Sequence, residues 1–407
     1  MVITENPATG EAEPPRRPPS GGRGHRRSPR RRWLWRSIVL ACSLALLIPA
    51  WSLGRVLLEN NTDPLSARVV EWARDHNLAG VVNGVERYWY THHPPPRGGT
   101  PKHGIPHAPA PVAARPVARP VAHQVAKPAP KPKVTPPPNI VPFVSTPLLG
   151  EGVWQPVGRE VGGVPLAWAT FLRPDNVHTS ELIGVVHFDM RHATATLHAG
   201  TQLPGGGPWQ HGARIDPADY SRVIAAFNSG FKLSGSHGGY YAEGRTVAPL
   251  VDGRASFVTY ADGHADVALW GRDATMTPAV TAVRQNLVLL VDHGQLAPDL
   301  SSNSSWGATV GAAVYVWRSA ICVDAHGDLE YAAGPGVDVP TLAQVMQRVG
   351  CVRAMELDIN SEWVSLMTYT NDGHGGVTPW KLLPSMLRPA DRYLVYGTRD
   401  FIEIDAR

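Results

Sequence analysis

The chain has 407 residues and a net charge of +4, but that figure is the sum of two opposite parts. Residues 1–142 hold 20 Lys/Arg against 8 Asp/Glu, whereas residues 143–407 hold 18 against 26, so the part able to build a core is acidic and the basic balance gives no ground for a nucleic-acid partner. The sequence contains no H-E-x-x-H, no paired C-x-x-C, no G-x-S-x-G and no nucleotide-binding fingerprint, which argues against zinc, haem, serine-hydrolase and nucleotide chemistry.

Residues 1–36 are rich in Arg, Pro and Gly and carry too little apolar surface to order themselves, so they read as a disordered basic tail. Residues 37–54, SIVLACSLALLIPAWSLG, are uncharged and as a helix would span roughly 27 Å, the reach of a transmembrane anchor. Nine arginines precede them, and Trp33, Trp35 and Trp51 stand at the edges. The positive-inside rule then places the N-terminus in the cytoplasm and the rest outside, a single-pass protein of a bacterial cell membrane. A cleaved signal peptide ending near Ala50 is the competing reading, and both export the C-terminal part. Residues 55–93 form a juxtamembrane helical segment, with a helix expected over 62–90: Thr62 or Asp63 caps it, Pro64 suits its first turn, and Leu65, Val69, Trp72 and Ala73 recur at helical spacing. Residues 94–142 hold 16 prolines and seven basic residues with no acidic one. They read as a polyproline-type linker reaching about 150 Å when extended, either a plain spacer or one that also touches anionic envelope polymers.

From 143 to 407 the pattern is strand-rich. Strands are expected at 166–172, 182–188, 193–198, 255–260, 264–270, 287–291, 313–323, 328–332, 352–358, 363–369 and 393–397, punctuated by Asp-Gly turns. The clearest helix is 340–349, opened by Pro340 and closed by Gly350, and a short one is expected at 217–223. This is an α+β domain with a mixed or antiparallel sheet. In an exported domain Cys322 and Cys351 can pair as a disulfide; otherwise they are two buried thiols.

Three polar clusters interrupt the apolar runs. Asn228-Ser229-Gly230-Phe231-Lys232 closes a strand and leads into a glycine-rich loop with His237; it is either an ordinary turn or a place where an amide and backbone N–H groups meet a ligand. Arg318 lies inside the apolar strand and must be paired, with a structural carboxylate or with a ligand phosphate. Residues 355–363 read Met-Glu-Leu-Asp-Ile-Asn-Ser-Glu-Trp, and a period of two puts Glu356, Asp358, Asn360 and Glu362 on one strand face. Such a face is solvated, catalytic, or a hard-cation site in which Glu356, Asp358 and Asn360 would hold Ca²⁺. No other cofactor is expected. Arg284-Gln285-Asn286 forms a further polar group before the strand at 287–291.

The order of these clusters resembles the phosphodiester glycosidase family. Its Asn-Gly-Gly-Phe segment corresponds to Asn228-Ser229-Gly230-Phe231, its Arg-Ser-Ala-Ile strand to Arg318-Ser319-Ala320-Ile321 followed by Asp324, its helix entry to Leu342-Ala343, and its Leu-Asp segment to Leu357-Asp358. Ser229 and Cys322 stand in place of glycines, and Ile359-Asn360-Ser361-Glu362 replaces a glycine-serine run. The resemblance implies a glycosidase acting on sugar-1-phosphodiester linkages of a cell-envelope glycan or glycolipid. It implies Asp358 as nucleophile or base, Glu362 or Glu356 as the second carboxylate, Arg318 against the phosphate, and Asn228 and the backbone at Gly230 on a sugar hydroxyl or phosphate oxygen. Lys232, His237, Arg284, Asn286, Asn360 and Ser361 are the remaining expected substrate contacts. The alternative is a module that binds the glycan without cutting it.

Overall fold

The computed structural model of the chain describes residues 29–59, 63–109, 134–301, 306 and 314–407. The basic tail up to residue 28, the middle of the proline-rich stretch and the side chain of Cys42 lie outside them. The chain forms two compact units, residues 1–56 and 57–407. In the first, the expected membrane segment 37–54 falls within one helix, α1 (Pro29–Leu58). Among the described residues no helix is long and apolar enough to cross a membrane. The expected transmembrane helix is therefore not shown. The side chains at 41, 42 and 44–46, which supply the middle of the apolar stretch, are outside the description, and Arg36 and Arg55 bound what is left.

In the second unit the expected single helix over 62–90 is two, α2 (Leu65–Asp75) and α3 (Ala79–His92). They break at Asn77, whose φ of 62° no helix accommodates. Pro64 occupies the N-cap and no side chain caps α2. Asp63 is turned instead into the domain, where it is buried and takes hydrogen bonds from Arg388 and Thr398. The two described ends of the proline-rich stretch also dock. Ile105 and Ile140 are buried, Gln155 Nε2 donates to the Pro106 carbonyl at 2.6 Å, and Trp154 Nε1 donates to that of Pro138 at 2.9 Å.

The rest is three antiparallel sheets. The largest has eight strands in the order β1 (Gln155–Val161), β2 (Val164–Leu172), β3 (Ile183–Phe188), β14 (Leu329–Val337), β13 (Val316–Asp324), β15 (Cys351–Glu356), β11 (Leu289–Asp292) and β12 (Gln295–Leu296). The second runs β7 (Arg245–Ala248), β6 (Tyr240–Ala242), β10 (Val280–Gln285), β8 (Ala255–Tyr260), β9 (Ala265–Leu269). The third runs β17 (Val377–Lys381), β16 (Leu366–Asn371), β5 (Val223–Asn228), β18 (Phe401–Ala406), β4 (Ala193–His198). Together with the four-residue α4 (Leu233–Ser236) and α5 (Val339–Arg348) this is a β-rich α+β fold.

Strand alternation divides the core. On one face of the large sheet, Ala320, Cys322, Ala332 and Ala354 pack under α5 through Leu342, Ala343, Val345 and Met346. On the other face, Ile321, Val323, Tyr331 and Met355 meet Phe227, Phe257 and Ile404 of the smaller sheets. Asp338 caps α5 by accepting the Thr341 N–H at 2.8 Å, and Pro340 sits in its first turn. Cys322 and Cys351 are joined as a disulfide between neighbouring strands.

β18 carries two acidic residues, Glu403 and Asp405, both buried. Burial pushes both carboxyls up to about 8, with the Glu403 charge adding to the rise at Asp405, and Glu403 Oε2 lies 2.6 Å from His198 Nε2. In the unfolded chain they lose their protons near pH 4. Their contribution to stability is therefore complete below about pH 4 and is lost progressively as the pH rises to about 8. Melting temperature followed from pH 5 to 9 is expected to fall for the parent protein. Glu403→Gln should flatten that decline by roughly 2–4 kcal/mol at pH 8. Parallel curves for the two proteins would show that the pair holds no extra proton.

Candidate active site

Asn228, at the end of β5, is the hub of the polar interior. Its amide donates to Ser319 Oγ at 3.0 Å and to the Ser229 carbonyl at 2.9 Å, while its oxygen accepts from Tyr331 Oη at 2.8 Å and from the Ser365 N–H at 3.1 Å. All its hydrogen-bonding capacity toward the protein is thus in use. Ser319 Oγ accepts the Asp358 N–H at 3.1 Å and donates to the Asp358 carbonyl at 3.1 Å. The structure therefore brings Asn228, the residue after Arg318, and Asp358 together. The asparagine acts by holding the Asp358 backbone.

Asn286 performs a similar task from the end of β10. Its amide donates to the Glu356 and Leu357 carbonyls at 2.5 and 2.8 Å, and its oxygen accepts the Phe231 N–H at 3.3 Å. Gly230 is explained by the same contact, since a Cβ there would stand 3.0 Å from Asn286 Cγ. Arg284 is buried and anchors Asp400 at 2.7 Å and the Phe231 carbonyl.

The acidic face expected over 356–362 does not exist as such. β15 ends at Glu356: beyond it Leu357 and Asp358 both bond the Ser319 backbone of β13, and the Asn286 amide takes the carbonyls of residues 356 and 357. Glu356 pairs with Ala320 across the sheet and so shares the α5 side with Arg318, whose Nη1 donates to Glu356 Oε1 at 2.6 Å. Arg318 is 1% exposed, and its Nε donates to the Val337 carbonyl at 2.9 Å. Its partner is the structural carboxylate, and neither residue lines the cleft. Burial raises the Glu356 carboxyl, against the pull of Arg318. The calcium reading loses its ligand set in the same way, since Glu356 and Asp358 point to different places. Among the described residues, the group with metal-ligand proximity is Cys322, Glu330 and Cys351, and its two sulfurs are already bonded to each other.

Asp358, Asn360, Ser361 and Glu362 line a cleft of about 510 Å³, joined by Phe231, Lys232, Trp363 and Arg399, with α2 and α3 forming the opposite wall. Asp358 is 5% exposed and its Oδ1 accepts the N–H groups of Ile359 and Asn360 at 2.7 and 2.9 Å. Burial pushes its carboxyl up to about 6, with Arg399 and the two N–H groups pulling the other way. Asn360 accepts the Glu362 N–H at 2.9 Å, and Glu362 Oε1 accepts from Ser66 Oγ of α2 at 3.0 Å. Lys232 reaches Glu71 of α2. His237, exposed and in the left-handed conformation, lies outside the cleft lining. Glu71, Arg74, Glu86, Trp363 and Arg399 were not foreseen. Glu71 and Arg399 are 328 residues apart, beyond any local pattern, although Thr398-Arg399-Asp400 is a polar triplet ahead of an apolar run.

Asn228, Arg284, Arg318 and Asp358 all fall within the part of the chain that compares with known proteins. Residues 221–358 match the phosphodiester glycosidase family. The match to the phosphodiester glycosidase model takes in the Asn228 hub, the Asn286 brace, the Arg318–Glu356 pair and Asp358, and stops before Asn360, Ser361, Glu362 and Arg399. It supports a glycosidase-type domain. No curated protein matches the sequence. Among solved structures, a hypothetical protein from Synechocystis is 14% identical at a TM-score of 0.34, with 59% of this chain and 62% of that one covered. A protein from Burkholderia pseudomallei K96243 is 14% identical at a TM-score of 0.30, with 56% and 74% covered. The chain thus spans less than two thirds of the length of the first.

Proposed function

We propose that the cleft hydrolyses sugar-1-phosphodiester linkages of a cell-envelope glycan or glycolipid. The observation that carries this reading is Asp358, a buried carboxylate at the cleft wall at the end of the matched family segment. Two backbone N–H groups fix one of its oxygens, which orients the carboxylate toward an anomeric carbon or a water. A phosphodiester leaves as a weakly basic anion, so departure of the leaving group needs little protonation, and one carboxylate as nucleophile or base accounts for most of the chemistry. Glu362, on the same wall, is the second carboxylate. Export is part of the proposal. The Cys322–Cys351 disulfide suits an oxidising compartment, and residues 37–54 of α1 would tie the protein to the membrane, which fractionation of cells into membrane and soluble pools tests.

The full chain incubated with a sugar-1-phosphodiester should release free sugar and a phosphomonoester, followed by NMR. Absence of release across sugars with different 2-substituents would sink the hydrolase reading. Residues 360–362, which crowd the cleft beyond the family match, favour a second reading in which the glycan is bound and not cut. Retention of an envelope glycan without any sugar release would support it.

A further inference from the structure

A phosphodiester entering this cleft must meet positive charge, and Arg318 is sealed beneath the sheet with Glu356. The cations lining the cleft are Arg74, Lys232 and Arg399, and Arg74 is already paired with Glu86 of α3 at 2.8 Å. Arg399 lies over the Trp363 ring at 4.6 Å, which restricts its guanidinium. Lys232 follows Phe231, whose backbone is tied down by Asn286 and Arg284. One carboxylate answers both: Glu71 of α2 accepts from Arg399 Nη2 at 2.7 Å and contacts Lys232 Nζ. Asp75, one turn further along α2, lies 3.4 Å from the same ammonium. Ser66, from the preceding turn, reaches Glu362. One stretch of α2 thus engages the two cations and the second carboxylate of the candidate site.

We infer that Lys232 and Arg399 form the phosphate-binding pair of the site and that the Glu71 carboxylate of α2 stands in for the phosphate. The inference rests on the phosphodiester reading of the cleft. Its chemistry is direct: a guanidinium fork and an ammonium that hold two carboxylate oxygens present the same donors to two phosphate oxygens. Burial alone would raise the Glu71 carboxyl, yet Arg399 and Lys232 hold it below its usual value, so the carboxylate is charged when it fills the pair. The pair is more than a solvated surface contact, since the Arg399 and Glu71 side chains are only 11% and 18% exposed. Helices α2 and α3 then act as a cover whose Glu71 must swing away before an anionic substrate can seat.

Calorimetric titration of the full chain with inorganic phosphate tests this without any turnover. Glu71→Gln is expected to bind phosphate about tenfold more tightly than the parent protein, and Glu71→Gln combined with Arg399→Gln to lose that gain. Equal affinities for parent and E71Q, or a gain that survives loss of Arg399, overturn the inference. Should E71Q fail to fold, Asp75→Asn is the milder variant, because that side chain is 66% exposed. It should tighten phosphate about threefold, and an unchanged affinity counts against the inference. The two readings fail separately. Phosphate binding as expected with no sugar released from any substrate removes the hydrolase and leaves the anion site. Sugar release with phosphate affinity indifferent to Glu71 removes the anion-site inference and leaves the hydrolase.

Discussion

Asp358→Asn is expected to lower sugar release by about a thousandfold or more while raising thermal stability at neutral pH. Both effects come from the same carboxyl. Asparagine keeps an oxygen to accept the N–H groups of Ile359 and Asn360, so the loop geometry survives. What is lost is the negative charge that attacks carbon or activates water. Because burial holds the Asp358 carboxyl up near 6, the group is neutral in acid and ionises as the pH passes about 6. A nucleophile or base with that behaviour gives kcat/KM that rises through pH 6 and levels above it. The stability argument has the opposite sign. An unfolded aspartate ionises near pH 4, so folding is progressively penalised between pH 4 and 6, and the penalty stays above that. Removing the charge should recover about 3 kcal/mol at pH 7. Sugar release and melting temperature measured on one preparation from pH 4 to 8 check both. An active D358N protein would rule out the assigned role.

The second large effect falls on the pair that sequence placed in the site and the structure places beneath it. Glu356→Ala leaves the Arg318 guanidinium buried with backbone carbonyls alone, and truncating one partner of a buried pair costs about 3–5 kcal/mol. For a domain of this size that corresponds to a melting temperature lower by about 10 °C. Arg318→Met should be milder, since a flexible apolar side chain fills the space, although Glu356 then loses its hydrogen bond and is held neutral by burial. If Arg318 bound the substrate phosphate, Arg318→Met would raise KM strongly with little change in melting temperature, and that pattern would overturn the structural role.

The fold was largely legible because most strands are half of a two-faced layer. The runs expected at 193–198 and 255–260 are β4 and β8 to the residue, and 340–349 is α5 shifted by one. β18 was missed because Glu403 and Asp405 break an apolar run, and nothing local shows that both acids are buried in the core. The strand expected at 393–397 is a single turn of 3-10 helix at Arg392–Leu394. At the site, the order of motifs named Asn228 and Asp358 as candidates, but their linkage through Ser319 is a long-range contact that no local pattern shows. The period-of-two reading of 356–362 failed because alternation depends on the neighbouring strands, and here Leu357 and Asp358 both bond Ser319 while Asn286 takes the carbonyls of residues 356 and 357. Arg399 and Glu71 were invisible because their meaning depends on each other, and they meet across nearly the whole length of the chain.

Asp63 gives this arrangement a consequence for how the protein can be divided. Its carboxylate is the partner of Arg388, a guanidinium that burial and the charge of Arg392 pull down to about 10, and it also receives the Thr398 hydroxyl. Residues 57–93, which hold Asp63, therefore belong to the same folded unit as the sheets and are not a detachable spacer. A recombinant fragment cut at residue 143, where composition draws the border, would expose the cleft but strand a buried cation. The natural unit of transplantation, in a chimaera or an expression vector, starts before residue 63.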